Sequence, residues 1–210
     1  MPTWVRDDTK SLFDLLAPSS SARQSVARNE VLFEQGVAVR HLYYVLEGSF
    51  KLVRHTREGK ELIVELSGPG DLLGSLLEPH ESSAAARALE DSVVLLVPVA
   101  VLRNELDRSP ALAVELVLRA EKKRRVAEAQ AARLAFESVI RRLGVFLLEI
   151  ADRKTGLLRF PLSQGEIASR IGSSRETVCS LLNELRRTGL VEIGRGQIRV
   201  LDRDALARVG

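Results

Sequence analysis

The chain has 210 residues, 45% of them hydrophobic and 28% charged, and a formal net charge of +3. This is a globular composition, long enough for one or two cored domains. Its single cysteine, Cys179, excludes an intramolecular disulfide framework and a four-cysteine iron–sulfur site within one chain. Met1–Lys10 is polar and charged, unlike a signal peptide, and no apolar run approaches the ~20 residues of a membrane span, so no membrane association and a cytoplasmic location are expected.

In chain order, Ser11–Leu16 has helical apolar spacing and the Pro18–Ser21 run breaks it, leaving a loop to about residue 30. Short apolar stretches then recur at Val31–Phe33, His41–Leu46, Phe50–Arg54, Leu62–Leu66, Ala85–Leu89 and Val93–Val97. Glycine-containing turns at Gly36, Gly48, Gly59 and Gly70 separate them. That pattern predicts a small β-barrel or jelly roll, with a hairpin around Arg57–Lys60. A metal-dependent barrel enzyme would need clustered ligands, but His41, His55 and His80 lie far apart and form no His-x-His pair. No metal site, P-loop or nucleophile elbow is legible, and no catalytic residue is assigned.

Residues 99–108 predict a short helix. Ser109-Pro110 then supplies a cap followed by a proline at the first helical position, and no Gly or Pro interrupts the chain until after Phe136. A helix of this length spans about 39 Å. Val117, Ala120, Arg124, Ala127, Ala131 and Leu134 follow a 3–4–3 spacing and make a candidate dimer seam, apolar and small except at Arg124. The alternative is a helix lying along its own barrel.

After a junction at Phe136–Ser138, a helix over Val139–Ile150 and a candidate strand at Leu157–Leu162 lead into the most informative stretch. Ile167, Ala168 and Ile171 give one helix an apolar face. Gly172 suits a left-handed turn, Ser173 or Ser174 can cap the next helix, and Val178, Leu181, Leu182 and Leu185 form its buried face. This is the spacing of a helix-turn-helix, whose second helix enters the DNA major groove. Two strands around Gly194–Gly196 form a wing, with Arg195 at its tip as a phosphate contact, and Asp204–Val209 predicts a short final helix. Residues 137–210 hold 13 Lys and Arg against 9 Asp and Glu, whereas the preceding 136 hold 18 against 19. The basic excess therefore sits where phosphate contact requires it.

Arg175, Glu176 and Ser180 lie at i, i+1 and i+5 near the start of the second helix, where they would meet the groove. Arginine's fork matches guanine O6/N7 and a carboxylate accepts from cytosine N4. Thr177, and Ser163 and Gln164 at the start of the first helix, are phosphate-contact candidates. Cys179 is expected to pack rather than to act as a redox switch.

Taken together, Leu32–Gly36, Leu42–Ser49, Glu58–Glu61, Gly70–Gly74, Leu134-Ala-Phe136 and Ile171–Val178 resemble the cyclic-AMP receptor/fumarate-nitrate regulator (CRP/FNR) family of bacterial transcription factors. The resemblance implies an α+β architecture: an N-terminal β-roll (a jelly-roll barrel like those that bind cyclic nucleotides) over 1–108, a long dimerisation helix over 109–136, and a C-terminal winged helix-turn-helix over 137–210. It implies a homodimer on a palindromic double-stranded DNA operator, RNA polymerase as a partner, and a small-molecule effector of unknown identity if there is one. It also supports Arg175 and Glu176 as base readers, with Ser180 replacing a second arginine of the cyclic-AMP type.

The corresponding effector pocket would be lined by Gly74, Ser75, Leu76, Ser82, Ser83, Arg124, Ala127 and Glu128. Here the sequence departs from the cyclic-nucleotide binders. Ser75 replaces the glutamate that holds the ribose, Ser82-Ser83 replaces the Arg-Ser pair at the phosphate, and Ala127-Glu128 replaces the adenine-contacting Thr-Ser pair. A buried phosphate without arginine is poorly compensated, so cyclic AMP is not expected. No cofactor is expected either; the alternatives left open are a haem-based gas sensor of the same family, another small ligand, or a constitutively active regulator. His80 is expected in a loop.

Overall fold

The computed structural model describes residues 22–77, 79–194 and 197–210. The helix expected at Ser11–Leu16 and the wing-tip Arg195 lie outside the described residues. Ten strands come first: β1 (Ala22–Val26), β2 (Val31–Phe33), β3 (Ala38–Val39), β4 (His41–Glu47), β5 (Phe50–His55), β6 (Glu61–Ser67), β7 (Leu72–Gly74), β8 (His80–Glu81), β9 (Ala85–Ala88) and β10 (Ser92–Pro98). Helices α1 (Val99–Arg108), α2 (Pro110–Phe136), α3 (Val139–Ile150), α4 (Gln164–Ile171) and α5 (Arg175–Arg187) follow, then β11 (Val191–Gly194), β12 (Gln197–Val200) and α6 (Arg203–Ala207). The strands form sheets of order β1-β10-β4-β7 and β2-β9-β5-β6, with β3-β8 and β11-β12 as two-stranded ribbons. Two compact units result: residues up to Phe50 with Ser67–Lys123, and Lys51–Leu66 with Arg124–Gly210.

In the first unit, β10 is central, antiparallel to β1 on one side and to β4 on the other. A bulge falls between Val93 and Val94. Alternation then sends Val94 and its partner Val45 to one face, both fully buried, and Leu95 and Val97 to the other. Leu95, Val97 and Leu42 share a cluster with Leu102 of α1 and Leu112 and Leu116 of α2. Each such burial contributes about 1.5–3 kcal/mol before entropy is charged. The Ser109 hydroxyl accepts the Leu112 N–H at 3.3 Å, as a cap before Pro110 should. Further along α2, Arg119 Nη1 donates to the Gly70 carbonyl at 2.6 Å and Lys123 Nζ to that of Leu72 at 2.5 Å.

Four of these strands escape the sequence reading. β1 lies where a loop was expected, and β3, β7 and β8 are only two or three residues long. His80 sits on β8 opposite Val39, not in a loop. Conversely, Leu157–Leu162 is no strand: Leu158 bridges Ala151 and Leu157 bridges Arg199 singly. Pro161 has no N–H with which to extend a ladder.

The second unit is built on a three-helix core. Leu143 and Leu147 of α3, Ile167 of α4, and Val178 and Leu182 of α5 are all fully buried. Leu206 of α6 closes the far side, and its carbonyl lies so near Gly144 that a Cβ there would sit 3.2 Å away. β11 and β12 pair in register from Val191–Val200 to Gly194–Gln197, forming the wing.

Segment 51–66 is fastened to α4 by polar contacts. Lys51 Nζ, on a residue 9% exposed, donates to Glu166 Oε1 at 2.6 Å. Ser169 Oγ accepts the Ile63 N–H at 3.2 Å and donates to the Glu61 carbonyl at 2.9 Å. Arg170 Nη1 donates to the carbonyls of Ile63 at 3.1 Å and Val64 at 2.6 Å. β6 is an edge strand, so these side chains satisfy backbone groups that would otherwise need water. Burial pushes the Glu166 carboxyl up, but Lys51 and the N–H and O–H of Ser163 outweigh it and hold its pKa below the ordinary value of 4.5.

Two outcomes are expected. Gly172 has φ +63° and its added Cβ would lie 2.8 Å from Leu134 Cδ2, so Gly172→Ala should cost about 1–3 kcal/mol in chemical denaturation. Lys51→Met should cost about 1–3 kcal/mol and raise the Glu166 pKa, read by NMR titration. Because folding depresses that pKa, the unfolded chain takes up the proton first as acid is added. The contribution of Glu166 is therefore complete above the ordinary carboxylate range and is lost as pH falls through it.

Candidate DNA interface

The turn between α4 and α5 is fixed by local chemistry. Gly172, left-handed, donates its N–H to the Ala168 carbonyl, and the Ser173 N–H reaches the same oxygen at 3.0 Å. Ser163 and Glu166 form a reciprocal capping box at the start of α4. Ser174 caps α5: its hydroxyl accepts the Thr177 N–H at 3.1 Å and lies 3.0 Å from Thr177 Oγ1. Thr177 is thereby committed to the cap as well as available to solvent.

Burial of Val178, Leu182 and Leu185 turns the opposite side of α5 outward. Glu176 and Ser180 are exposed on it, and Arg175 and Thr177 are exposed in the first turn of the helix. No ion pair joins Arg175 to Glu176 among the described residues, so neither end group is spent on the other. The backbone N–H of Glu176 itself and the Ser174 hydroxyl hold the Glu176 carboxyl below its ordinary pKa. At neutral pH it is a pure acceptor, as reading cytosine N4 requires. The positive end of the α5 dipole lies at the same place. Ser163 is exposed and Gln164 half-buried at the start of α4. Cys179 is half-buried, and Asn183 Nδ2 donates to its sulfur at 3.6 Å.

The residues expected to line an effector pocket fall in different units. Gly74, Ser75, Leu76, Ser82 and Ser83 belong to the first, and Arg124, Ala127 and Glu128 to the second. Gly74 has φ +87° and passes so close to His41 that a Cβ would meet its carbonyl at 2.4 Å. Ser75 is 1% exposed, with its hydroxyl 3.2 Å from His80 Nδ1. Leu76 packs on the helix-facing core, and the Ser82 hydroxyl donates to the Ala84 carbonyl at 2.6 Å. Arg124 and Glu128 are exposed and pair with each other on α2, and Ala127 is exposed.

Arginines turned inward onto backbone carbonyls are what the sequence reading missed. Arg170 is 8% exposed, and its pKa is lowered to about 10, chiefly by burial, with Arg133 adding to the effect and Glu149 and Glu65 opposing it. Arg142 Nη1 donates to the carbonyls of Leu134 at 3.3 Å and Glu137 at 3.1 Å, and Nη2 to that of Gly172 at 3.3 Å. It thus ties the end of α2 to the turn of the motif. No spacing rule marks these residues, because a helical arginine reads by default as surface.

A profile described as a cyclic nucleotide-binding domain matches residues 23–109, and one described as a Crp-like helix-turn-helix domain matches residues 141–209. The curated cyclic AMP receptor protein of Thermus thermophilus is 32% identical over 200 residues, spanning 92% of this chain and 90% of that protein. FixK2 from Bradyrhizobium japonicum superposes with a TM-score of 0.82 at 26% identity, covering 89% of this chain and 95% of that one. A CRP/FNR-family transcriptional regulator, also from Thermus thermophilus, superposes with a TM-score of 0.69 at 25% identity, covering 88% and 96%. Nearly full-length likeness of sequence and fold, with the helix-turn-helix matched in its own right, places this chain in the CRP/FNR family of transcription regulators.

Proposed function

We propose that this regulator binds a palindromic operator as a homodimer in the cytoplasm, with α5 of each chain in a major groove. The observation that carries this reading is the exposure of Arg175 and Glu176 in the first turn of α5, capped by Ser174, and of Ser180 one turn beyond Glu176, while Val178, Leu182 and Leu185 are buried. Arg175 reads guanine and Glu176 reads the cytosine side. Ser163, Gln164, Ser174, Thr177 and Arg195 contact the backbone, and Ser180 leaves one position less strictly read.

The organisation proposed is a sensor over 1–108, a dimerisation helix over 109–136 and a DNA-reading head over 137–210. Regulators of this family typically act as dimers. On α2, Val117 of the candidate seam is 67% exposed, which supports a face covered by a second chain. RNA polymerase is the further partner.

The signal is not cyclic AMP in this reading, although a relative carries that ligand in its name. Ser75 is buried against His80, and Ser82 spends its hydroxyl on its own loop. Gating by another small molecule, or constitutive activity, fits these positions. An effector between β-roll and α2 would act by binding one head orientation better than another.

A mobility-shift series on palindromic DNA tests the reading. Affinity should fall steeply with salt, by about 10³–10⁵ between 50 and 200 mM for six to ten phosphate contacts; a flat response would leave the α5 face without its assigned role. Glu176→Ala should reduce discrimination at one base pair by about 1–3 kcal/mol, read by binding-site selection. An unchanged preference would remove Glu176 from the readout.

A further inference from the structure

Within the second unit, the last turns of α2 meet α3 and α4 around a shallow cleft that opens to solvent. Its polar lining is unbalanced. Arg133, Arg142 and Arg170 face it, with Glu149 as the one carboxylate of the lining. Arg133 Nη2 pairs with Glu149 Oε1 at 3.0 Å. The other two arginines spend their bonds on neutral carbonyls: Arg170 on Ile63 and Val64, Arg142 on Leu134, Glu137 and Gly172. Neither has a carboxylate partner among the described residues. The Nε–H of Arg142 is shielded from solvent and has no acceptor. Leu134, Phe146 and Ile171 complete the walls, and their apolar surface weakens the screening of the charges they enclose.

We propose that this cleft binds a small oxyanion of the phosphate class. The lining carries a net charge of about +2, which a phosphate dianion balances. Guanidinium forks match tetrahedral oxyanions in geometry as well as charge. Glu149 competes for Arg133, but its side chain is 41% exposed, and it can turn to water when an anion enters.

The position gives such a site a consequence. Gln130 and Arg133 belong to α2, and Arg170 to the first helix of the DNA-reading motif; Gln130 Nε2 already donates to the Arg170 carbonyl at 3.3 Å. A bound anion adds a second tie between those helices. Its effect on DNA affinity rests on the function proposed above; the binding itself does not.

The test is isothermal titration of the full-length protein with inorganic phosphate, at constant ionic strength set with sodium chloride. Saturable binding at one ion per chain is expected. Arg133→Gln should weaken it by about tenfold or more, the loss of one charge-assisted bond. Glu149→Gln frees Arg133 and should tighten it by a similar factor, a gain that damaged folding cannot produce. Arg175→Ala, at the DNA face, should leave it unchanged. Glycerol 3-phosphate in place of phosphate identifies the source: equal or tighter binding assigns a phosphomonoester, and weaker binding assigns the free ion. Heat no greater than with chloride, wild-type affinity in both cleft variants, or loss of binding in Arg175→Ala would each overturn the proposal.

Discussion

A thirteen-residue helix that buries one face must show the other, and on α5 this constraint decides what the protein can read. Val178, Leu182 and Leu185 are buried, and α5 packs against α4 and β11. Rotating α5 by even one residue would drag a buried leucine into water at a cost of about 1.5–3 kcal/mol. Arg175, Glu176 and Ser180 are therefore presented at a fixed angle. Gly172 supports the same end, since its left-handed backbone lets α4 and α5 cross with Leu134 packed into the corner. Specificity for DNA needs this rigidity, because a bidentate base contact loses its directional advantage when its helix rolls.

Around that rigid core the second unit is polar to an unusual depth. Lys51, Arg170 and the inner part of Arg142 are shielded from water, yet only Lys51 has a carboxylate directly on it. Buried charge of this kind is a poor source of stability, since desolvation consumes much of what the contacts return. It is a good source of orientation. Arg170 binds only where two carbonyls of β6 lie together, and Arg142 only where the end of α2, the junction and the Gly172 turn converge.

The parts of this architecture visible in the sequence are those governed by local rules. Gly172, Ser109-Pro110 and the longer strands all announce themselves within a few residues and stand where their spacing placed them, and of the two serines that could cap α5 it is Ser174 that does. The outward face of α5 was legible for the same reason. β3 and β8 were not, since two residues carry no periodicity. β1 was missed because Ala22–Val26 is mostly exposed and shows no alternation of polarity. Lys51 and Glu166 stand 115 residues apart, and nothing in either neighbourhood marks a partner. Burial of a charge is a tertiary fact, and a single sequence reads every such residue as surface.

Position 124 shows how the structure settles a conflict that the sequence only posed. A cation at the middle of a close helix seam is unfavourable, and a carboxylate at Glu128 beside a phosphate pocket is worse. The two prove to be partners, one helical turn apart on α2. The pair runs arginine-first, the weaker orientation for an i, i+4 bridge, and at this exposure it adds little stability. Its value is cancellation. In the proposed dimer, each chain would bring to the seam a neutral pair flanked by Ala120, Ala127 and Ala131, small enough for two helices to approach. The same bridge engages Arg124 in place of a ligand's phosphate. The charge pattern at this point of α2 is thus locally neutral, with both charges drawn from the same helix face.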